Sequence, residues 1–234
     1  PLVDSIHAEV TSLWARQQSL GIRRRLDYFR QQYAARLKPL QAVAQAALVI
    51  RDNLRNRNTI QRTLLQALGH AHQEAWLVTP YFAPGRKLRK ALMHAAKRGV
   101  SVTLLIGVGQ FRLQDAVAQS FYPRLLNAGI RLVEYRKTQL HAKVAVIDDN
   151  WATVGSSNFD GLSLFVNHEA NIIVRDKEFA HTLRAAIVQG VHEGVLVNAE
   201  KVKHYSWTRR LFNRFAYFLY KTVLQLISAG RYTK

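Results

Sequence analysis

The sequence contains no cysteine and few acidic residues. Its 234 residues include 15 Asp and Glu against 34 Lys and Arg, with one Met and five Pro. The absence of cysteine excludes disulfide-stabilised scaffolds, thiolate nucleophiles and Cys-ligated zinc, and it fits a reducing compartment. Because 48% of the residues are hydrophobic and only 21% are charged, the composition also excludes intrinsic disorder and low-complexity architectures.

The shortage of acids leaves a formal net charge of +19 at pH 7. Basic residues concentrate in three segments, 16–38, 85–114 and 201–234, and the last two contain no acid. Any one of these segments is compatible with a solvated helix face. Three together favour an anionic partner, either a phosphate-rich polymer or an anionic membrane surface.

The most apolar segment, 215–227, is interrupted by Lys221 and Gln225. It is shorter than the ~20 residues that a transmembrane helix needs. A helix over 207–227 would instead be amphipathic, with a basic face and an apolar aromatic face. We expect this face to lie at an anionic membrane interface, through Arg210, Arg214, Phe215, Phe218 and Lys221. The alternative is a C-terminal helix that packs on the domain core.

Hydrophobic periodicity predicts alternating strands and helices between residues 45 and 198. The predicted strands are 46–51, 76–82, 101–106, 130–135, 141–148, 152–156 and 169–175, and the predicted helices are 59–72, 84–98, 113–128 and 177–192, the last capped by Asp176. This alternation predicts an α/β sandwich with a mixed, largely buried sheet. A further helix is predicted over 5–40, ended or interrupted by Pro39.

The stretch most typical of a catalytic site runs from His141 to Asn158. It reads His-x-Lys, four apolar residues, Asp148, six residues, and then Gly155-Ser156-x-Asn158. On a strand over 141–148, side chains alternate, so His141 and Lys143 would share one face. Asp148 would face the other way, which favours a structural role for it.

This arrangement suits chemistry at a phosphate. An imidazole can attack phosphorus or transfer a proton, and an ammonium neutralises a non-bridging oxygen. Ser156 and Asn158 can donate hydrogen bonds to the same oxygens, and a carboxylate at Glu169 can hold an imidazole in one tautomer. Each of these residues alone is more often an ordinary structural residue. Their combination at fixed spacing indicates a site.

The pattern resembles the HKD signature of the phospholipase D superfamily. Across 45–195 the chain is similar to the C-terminal half of bacterial cardiolipin synthases, above all of their B type, in the segments 79–82, 126–135, 140–143 and 167–169 and in the basic aromatic tail. The resemblance implies a phospholipase D-like α/β/α sandwich. It also implies a helical connector over 1–44, an HKD catalytic domain over 45–198 and a membrane-associating amphipathic tail over 199–234.

The resemblance further implies a phosphatidyltransferase that needs no metal or other cofactor. A phosphatidyl group would move between phosphatidylglycerol molecules, or from phosphatidylethanolamine, through a phosphohistidine, with release of glycerol or a head-group alcohol. The candidate catalytic residues are then His141, Lys143, Asp148 and Glu169, with His141 as nucleophile or general acid. Lys143, Ser156 and Asn158 would bind phosphate. The expected location is the cytoplasmic face of the bacterial inner membrane.

In this superfamily two HKD motifs form one site, and this sequence has one. Of the nine histidines, only His141 is followed two residues later by Lys. Either two chains pair about a two-fold axis, or a missing N-terminal half supplies the other motif. The non-Met start and the likeness of residues 1–40 to a connector favour the second alternative, so we expect little activity from the chain alone unless it dimerises.

Two other functions stay open. A metal-independent HKD nuclease acting as a homodimer would suit the net charge of +19, since a phosphate backbone is polyanionic. The apolar face of the C-terminal helix is not needed by such a nuclease, so the leading interpretation includes no nucleic acid. The third possibility is a non-enzymatic half-site that binds anionic surfaces.

Overall fold

The computed structural model of the protein describes residues 2–17, 46–52, 56, 58–161 and 167–229. The chain divides into two compact units, residues 1–48 and 49–234. In the first unit, helix α1 spans Leu2–Gln17, which agrees with the start of the predicted helix over 5–40. Residues 18–40 of that prediction, including Pro39, lie outside the described residues. The predicted domain boundaries at 44/45 and 198/199 stay predictions.

After α1, strands and helices alternate as the hydrophobic pattern predicts. The strands are β1 (Ala46–Arg51), β2 (Glu74–Thr79), β3 (Phe82–Ala83), β4 (Ser101–Gly107), β5 (Arg131–Tyr135), β6 (Val144–Ile147), β7 (Trp151–Gly155), β8 (Phe159–Asp160), β9 (Glu169–Val174) and β10 (Val195–Leu196). The helices are α2 (Thr59–His70), α3 (Arg86–Lys97), α4 (Arg112–Gln119), α5 (Tyr122–Asn127), α6 (Lys177–Glu193), α7 (Ala199–Lys203) and α8 (Trp207–Ala229). Asp176 caps α6 as predicted, because its carboxylate accepts the backbone N–H of Phe179 at 2.7 Å.

Among the described residues, eight strands form one mixed sheet in the order β1-β9-β7-β6-β2-β4-β5-β10. Strands β2, β4 and β5 are parallel neighbours, and β2, β6, β7 and β9 are successive antiparallel neighbours. A separate parallel pair joins β3 to β8, with Phe82 opposite Phe159. The mixed sheet confirms the predicted α/β class.

Side chains on the central strands alternate between two cores. Leu77 and Leu104 pack in the core under α2, α3 and α5, whereas Val78 and Leu105 pack in the core under α6. All four are at most 3% exposed. Burying one such side chain contributes about 1.5–3 kcal/mol. Helices therefore cover both faces of the sheet, and the architecture is the predicted α/β/α sandwich.

Two proline residues divide elements that were predicted as continuous. The predicted strand over 76–82 ends at Thr79 because Pro80 follows, and Phe82 belongs to the separate strand β3. The single helix predicted over 113–128 is wrong, since α4 ends at Gln119 and α5 begins at Tyr122. In one continuous helix, Pro123 would lack its N–H and would clash with the carbonyl of Gln119.

The strand predicted over 141–148 is wrong at its start, because β6 begins at Val144. The first residue of β6, Val144, pairs with Val78 of β2 on one side and with Val154 of β7 on the other. Beyond Val78 the neighbouring strand β2 is nearly finished and Pro80 follows, so the segment before Val144 has no ladder to continue on that side. His141 and Lys143 therefore lie in the loop that leads into β6, and strand alternation does not set their direction.

The predicted amphipathic helix over 207–227 is confirmed by α8, which packs against α4. Asn213 and Ala216 face inward, with 4% and 0% of their surfaces exposed. By contrast Leu211, Phe215 and Phe218 are 58–66% exposed. The helix thus packs on the domain by one face and presents an apolar face outward. None of the helices in the described part of the chain is long and apolar enough to cross a membrane.

Candidate active site

The His-x-Lys element lies in the loop that enters β6. Lys143 is 8% exposed, and its Nζ donates a hydrogen bond to the carbonyl oxygen of His141 at 2.7 Å. The backbone N–H of Gly155, at the end of β7, donates to the carbonyl oxygen of Lys143 at 3.2 Å. His141 itself is exposed. The fold thus joins the two parts of the motif and leaves the imidazole accessible from solvent.

Two carboxylates interact electrostatically with the buried ammonium of Lys143. Burial lowers the pKa of Lys143 below its ordinary value, and the negative charges of Glu169 and Asp160 oppose that shift. Asp160 is only 6% exposed, and sequence reasoning missed it. The available signal was an acidic residue inside the apolar segment that follows Asn158. The site therefore contains a buried cation that feels the negative charge of two acids.

Ser156 and Glu169 are brought together by the pairing of β7 with β9. The hydroxyl of Ser156 donates to Glu169 Oε2 and accepts the backbone N–H of Ala170 at 3.1 Å. Asn167 Nδ2 donates to Glu169 Oε1 at 3.3 Å. Among the described residues, Glu169 has no hydrogen bond to an imidazole, so its expected role in orienting one stays a prediction.

Gly155 allows this close approach of β7 and β9. A Cβ at residue 155 would overlap the carbonyl oxygen of Ala170 and the side chain of Asn171. Asn171 is 2% exposed, accepts the N–H of Ser157 at 3.3 Å and donates to Thr153 Oγ1 at 3.1 Å. Sequence reasoning missed Asn171, because a buried asparagine on the strand that pairs with β7 carries no signature of its own in the sequence. Its hydrogen bonds fix the backbone between Gly155 and Asn158.

Asn158 follows directly and is half-buried. Its Oδ1 is buried and has no hydrogen-bond partner among the described residues. The next N–H, of Phe159, donates to Thr79 Oγ1 at 3.3 Å and anchors the segment to the end of β2. An unpaired buried polar atom costs about 1–3 kcal/mol, so this amide is suited to bind a ligand. The oxygen and nitrogen of the amide exchange places by a flip, which would present its two N–H donors.

Asp148 lies at the opposite end of β6, about 16 Å from Lys143 at the usual rise of a strand. Its carboxylate accepts the backbone N–H groups of His72, Gln73 and Glu74 at 2.8–3.2 Å. Its φ of 51° is left-handed, a conformation that Asp tolerates better than most residues. The structure thus brings Lys143, Ser156 and Glu169 together, with His141 and Asn158 beside them in sequence, and sets Asp148 apart.

The residues predicted to bind a membrane are all on α8. Arg210, Arg214, Phe215, Phe218 and Lys221 are exposed there. The helix also contacts the segment that follows the motif, since the hydroxyl of Tyr220 accepts the N–H of Gly161 at 2.9 Å. In the described part of the chain, no group of three or more His, Asp or Glu residues is arranged to hold a metal ion.

Comparison with known proteins identifies the domain. Residues 64–212 match the family model described as "Cardiolipin synthase, PLD-like domain". The chain is 44% identical over 156 residues to cardiolipin synthase B of Salmonella typhi, covering 66% of this chain and 37% of that protein. It is 45% identical over 142 residues to cardiolipin synthase B of Escherichia coli strain K12, covering 60% and 34%. The chain spans little more than a third of the length of these relatives.

Solved structures share the fold at low sequence identity. Nuc of Salmonella typhimurium, a phospholipase D family member, superposes with a TM-score of 0.56 at 20% identity, over 65% of this chain and 97% of that one. Phosphatidylserine synthase of Haemophilus influenzae superposes with a TM-score of 0.61 at 14% identity, over 78% and 47%. The family match and the shared fold lead to one conclusion: the chain belongs to the phospholipase D-like domain family of cardiolipin synthases.

Proposed function

We propose that this chain supplies one HKD half of the active site of a cardiolipin synthase-type phosphatidyltransferase. The observation that carries the proposal is the exposed His141 beside the buried Lys143, with Ser156 and Glu169 held against each other at the same end of the sheet. The identity of 44% to cardiolipin synthase B supports a reaction that forms cardiolipin. In this proposal phosphatidylglycerol is both donor and acceptor, with phosphatidylethanolamine as an alternative donor.

The reaction needs two imidazoles. One attacks the phosphodiester, so that a nitrogen–phosphorus bond forms while the bond to the head-group oxygen breaks. The second imidazole gives its proton to the departing glycerol or head-group alcohol and then takes a proton from the incoming alcohol, whose oxygen displaces the histidine. His141 fills one of these two roles, and both are within reach of an exposed imidazole.

The other motif residues stabilise the phosphate in this proposal. The Lys143 ammonium neutralises a non-bridging oxygen, and the Asn158 amide with the Ser156 hydroxyl donates hydrogen bonds to the same group. Glu169 orients an imidazole once substrate or the second motif is in place. Asp148 acts structurally, which its three backbone hydrogen bonds far from Lys143 support.

The second motif comes from the N-terminal half of the same enzyme or from a second copy of this chain. We further propose that the protein acts peripherally on the cytoplasmic face of the bacterial inner membrane. The support is α8, where Phe215 and Phe218 are 58% and 66% exposed and the segment 201–229 has several cations and no acid. An aromatic and basic helix face of this kind binds the interface of an anionic leaflet.

A product assay tests the reaction. The protein is incubated with phosphatidylglycerol vesicles, with and without the N-terminal half of the Salmonella typhi relative, because the chain alone is expected to be active only as a dimer. Cardiolipin and glycerol are measured by mass spectrometry for the unmodified chain, for His141→Ala and for the control His181→Ala on an exposed turn of α6. Equal amounts of cardiolipin and glycerol, lost only in His141→Ala, are the expected result. Product that persists in His141→Ala would refute the role of this residue.

A homodimeric, metal-independent nuclease is the second candidate, and the net charge of +19 favours it. Single-stranded DNA in the same assay separates the two functions. Cleavage that needs His141, without any lipid product, would replace the phosphatidyltransferase proposal.

A further inference from the structure

A basic cleft lies apart from the HKD residues. It has a volume of about 510 Å3 and is bounded by α3, the junction of α4 with α5, α7 and α8. Its lining includes Arg89, Arg124, Lys203, Arg210 and Arg214, and none of the described residues that line it is acidic. Its size is within the ~300–1,000 Å3 typical of small-molecule sites.

The cleft is built on ordered aromatic rings. The guanidinium of Arg89 lies 5.3 Å from the centroid of the Phe121 ring, and Phe121 packs edge-on against Tyr217 at 5.1 Å. Phe121 in turn packs against Phe82 of β3, the strand that pairs with β8 just after the motif. These contacts place Arg89 against a fixed ring, so part of its ordering cost is met before any ligand binds.

One of the two α8 arginines that line the cleft, Arg210, is also held in place. Arg210 donates to the carbonyl oxygen of Lys203, which ties the start of α8 to α7. The ammonium of Lys203 pairs with Glu200 at 2.8 Å, outside the cleft lining. Like charges that share one cleft repel each other, more strongly as the local dielectric falls. An anion with several oxygens would relieve this repulsion and accept bidentate hydrogen bonds from guanidinium groups.

The cleft is next to the exposed apolar face of α8. Arg210, Arg214 and Tyr217 follow the helical spacing i, i+4, i+7 and line the cleft. Leu211, Phe215 and Phe218 follow the same spacing on the adjacent stripe and are exposed. A ligand that combines an anionic headgroup with apolar chains could contact the arginines in the cleft and the exposed apolar residues of α8 at the same time. A free anion would use only the first.

We infer that this cleft binds the phosphate headgroup of an anionic phospholipid, as an anchoring site separate from the HKD site. The inference deepens the proposed membrane association of α8 and does not depend on turnover. Arg89 and Arg124, which are outside α8, make the prediction specific: they would contact the headgroup, whereas other basic residues of α3 would contribute only long-range attraction.

The test compares two double variants with equal loss of charge, each in a His141→Ala background so that catalysis cannot contribute. Arg89→Gln with Arg124→Gln removes cleft cations, and Lys87→Gln with Lys90→Gln removes exposed cations of α3 that do not line the cleft. Binding to phosphatidylcholine vesicles containing phosphatidylglycerol is measured by sedimentation. Thermal melting checks that each variant is folded.

We expect the cleft variant to bind about tenfold more weakly than the His141→Ala parent, and the α3 control to lose much less, because only the cleft variant loses charge-assisted hydrogen bonds. Glycerophosphoglycerol, the soluble headgroup, should raise the melting temperature of the His141→Ala parent and leave that of the cleft variant unchanged. Equal weakening of both variants would overturn the inference in favour of diffuse attraction.

Two further arms identify the source of the anion. One contrary result is that inorganic phosphate alone raises the melting temperature as much as glycerophosphoglycerol does, while the Arg89→Gln, Arg124→Gln variant binds vesicles as well as its parent. That combination would show that the lipid assignment is wrong. Displacement of the vesicles from the cleft by single-stranded DNA, but not by glycerophosphoglycerol, would also overturn it. Cleft-dependent vesicle binding, together with an unmodified chain that forms no cardiolipin in the separate product assay, would uphold this inference and count against the proposed reaction alone.

Discussion

Among the motif residues, Lys143 has an unusual environment, because a lysine side chain is rarely as buried as this one. Its burial disfavours the charged form and lowers its pKa. The carboxylates of Glu169 and Asp160 compensate in part. A cation held at some cost in this way is suited to a ligand that brings its own negative charge.

The lowered pKa of Lys143 predicts a pH dependence with a definite sign. Between the folded-state pKa and the ordinary value of 10.5, the unfolded chain binds more protons than the folded one, so this residue makes the protein more stable as the pH rises. Relative to Lys143→Met, the melting temperature of the unmodified chain should therefore improve from pH 7 toward pH 10. Melting curves whose difference does not change with pH would contradict this environment for Lys143.

Asp148 predicts a loss of stability without a loss of chemistry. Asp148→Ala removes the acceptor of three backbone N–H groups and places Ala at a φ of 51°, so the free energy of unfolding should fall by about 1–3 kcal/mol. Asp148→Asn keeps an acceptor oxygen and tolerance of this φ, so its loss should be smaller. Urea denaturation measures both, and the activity per folded molecule should stay constant.

A different outcome would return Asp148 to the catalytic residues with which the HKD signature groups it. That outcome is an Asp148→Ala variant as stable as the unmodified chain but inactive. The sequence pattern alone favours a structural role, because alternation of side chains along a strand would point Asp148 away from His141. That reasoning assumed a strand from residue 141, whereas β6 starts at Val144, so the hydrogen bonds at the far end of β6 support the role independently.

At the scale of elements, the apposition of β7 and β9 sets the geometry of the site. Gly155→Ala would push a methyl group into the carbonyl of Ala170 and the side chain of Asn171. We expect a loss of about 1–3 kcal/mol in unfolding free energy, and lower activity because Ser156 moves relative to Glu169. Gly69→Ala on α2, where a Cβ meets nothing, is the matched control and should be neutral or slightly stabilising. Equal behaviour of the two variants would contradict this packing.

Helix α8 predicts membrane binding that is separable from folding. Phe215→Ser with Phe218→Ser removes two exposed aromatic rings, so binding to anionic vesicles should weaken at least about tenfold while the melting temperature stays unchanged. Val195→Ser with Leu196→Ser on β10 removes two comparably exposed apolar side chains and should not alter binding. If both double variants bind as the unmodified chain does, α8 is not the membrane surface.

Periodicity identified most elements of the α/β unit, because buried strands and amphipathic helices leave strong patterns in the sequence. It failed where one residue overrides the pattern, as Pro123 does between α4 and α5 and as the end of the β2 ladder does before Val144. The residues of the site divide in the same way. Fixed spacing revealed His141 and its motif, whereas Asp160 and Asn171 matter through contacts that only the folded chain creates.

At the scale of the whole molecule, the single motif is the decisive feature. The chain belongs to a family of domains, and it spans little more than a third of the cardiolipin synthase B proteins that it resembles. If one imidazole attacks phosphorus and another protonates the leaving alcohol, His141 alone cannot complete the cycle. The proposed mechanism therefore predicts that activity depends on a second motif, supplied by another polypeptide segment or by another copy of this chain.

The most direct measurement is the rate of cardiolipin formation per molecule of this chain, followed as the chain is diluted. It is made with and without the N-terminal half of the Salmonella typhi relative, for the unmodified chain and for His141→Ala. We predict that the rate falls on dilution or depends on the added half, and that His141→Ala is inactive in both arms. A shared two-motif site would be contradicted by a rate per molecule that stays constant on dilution and does not change when the N-terminal half is added. It would also be contradicted by a His141→Ala variant that still forms cardiolipin.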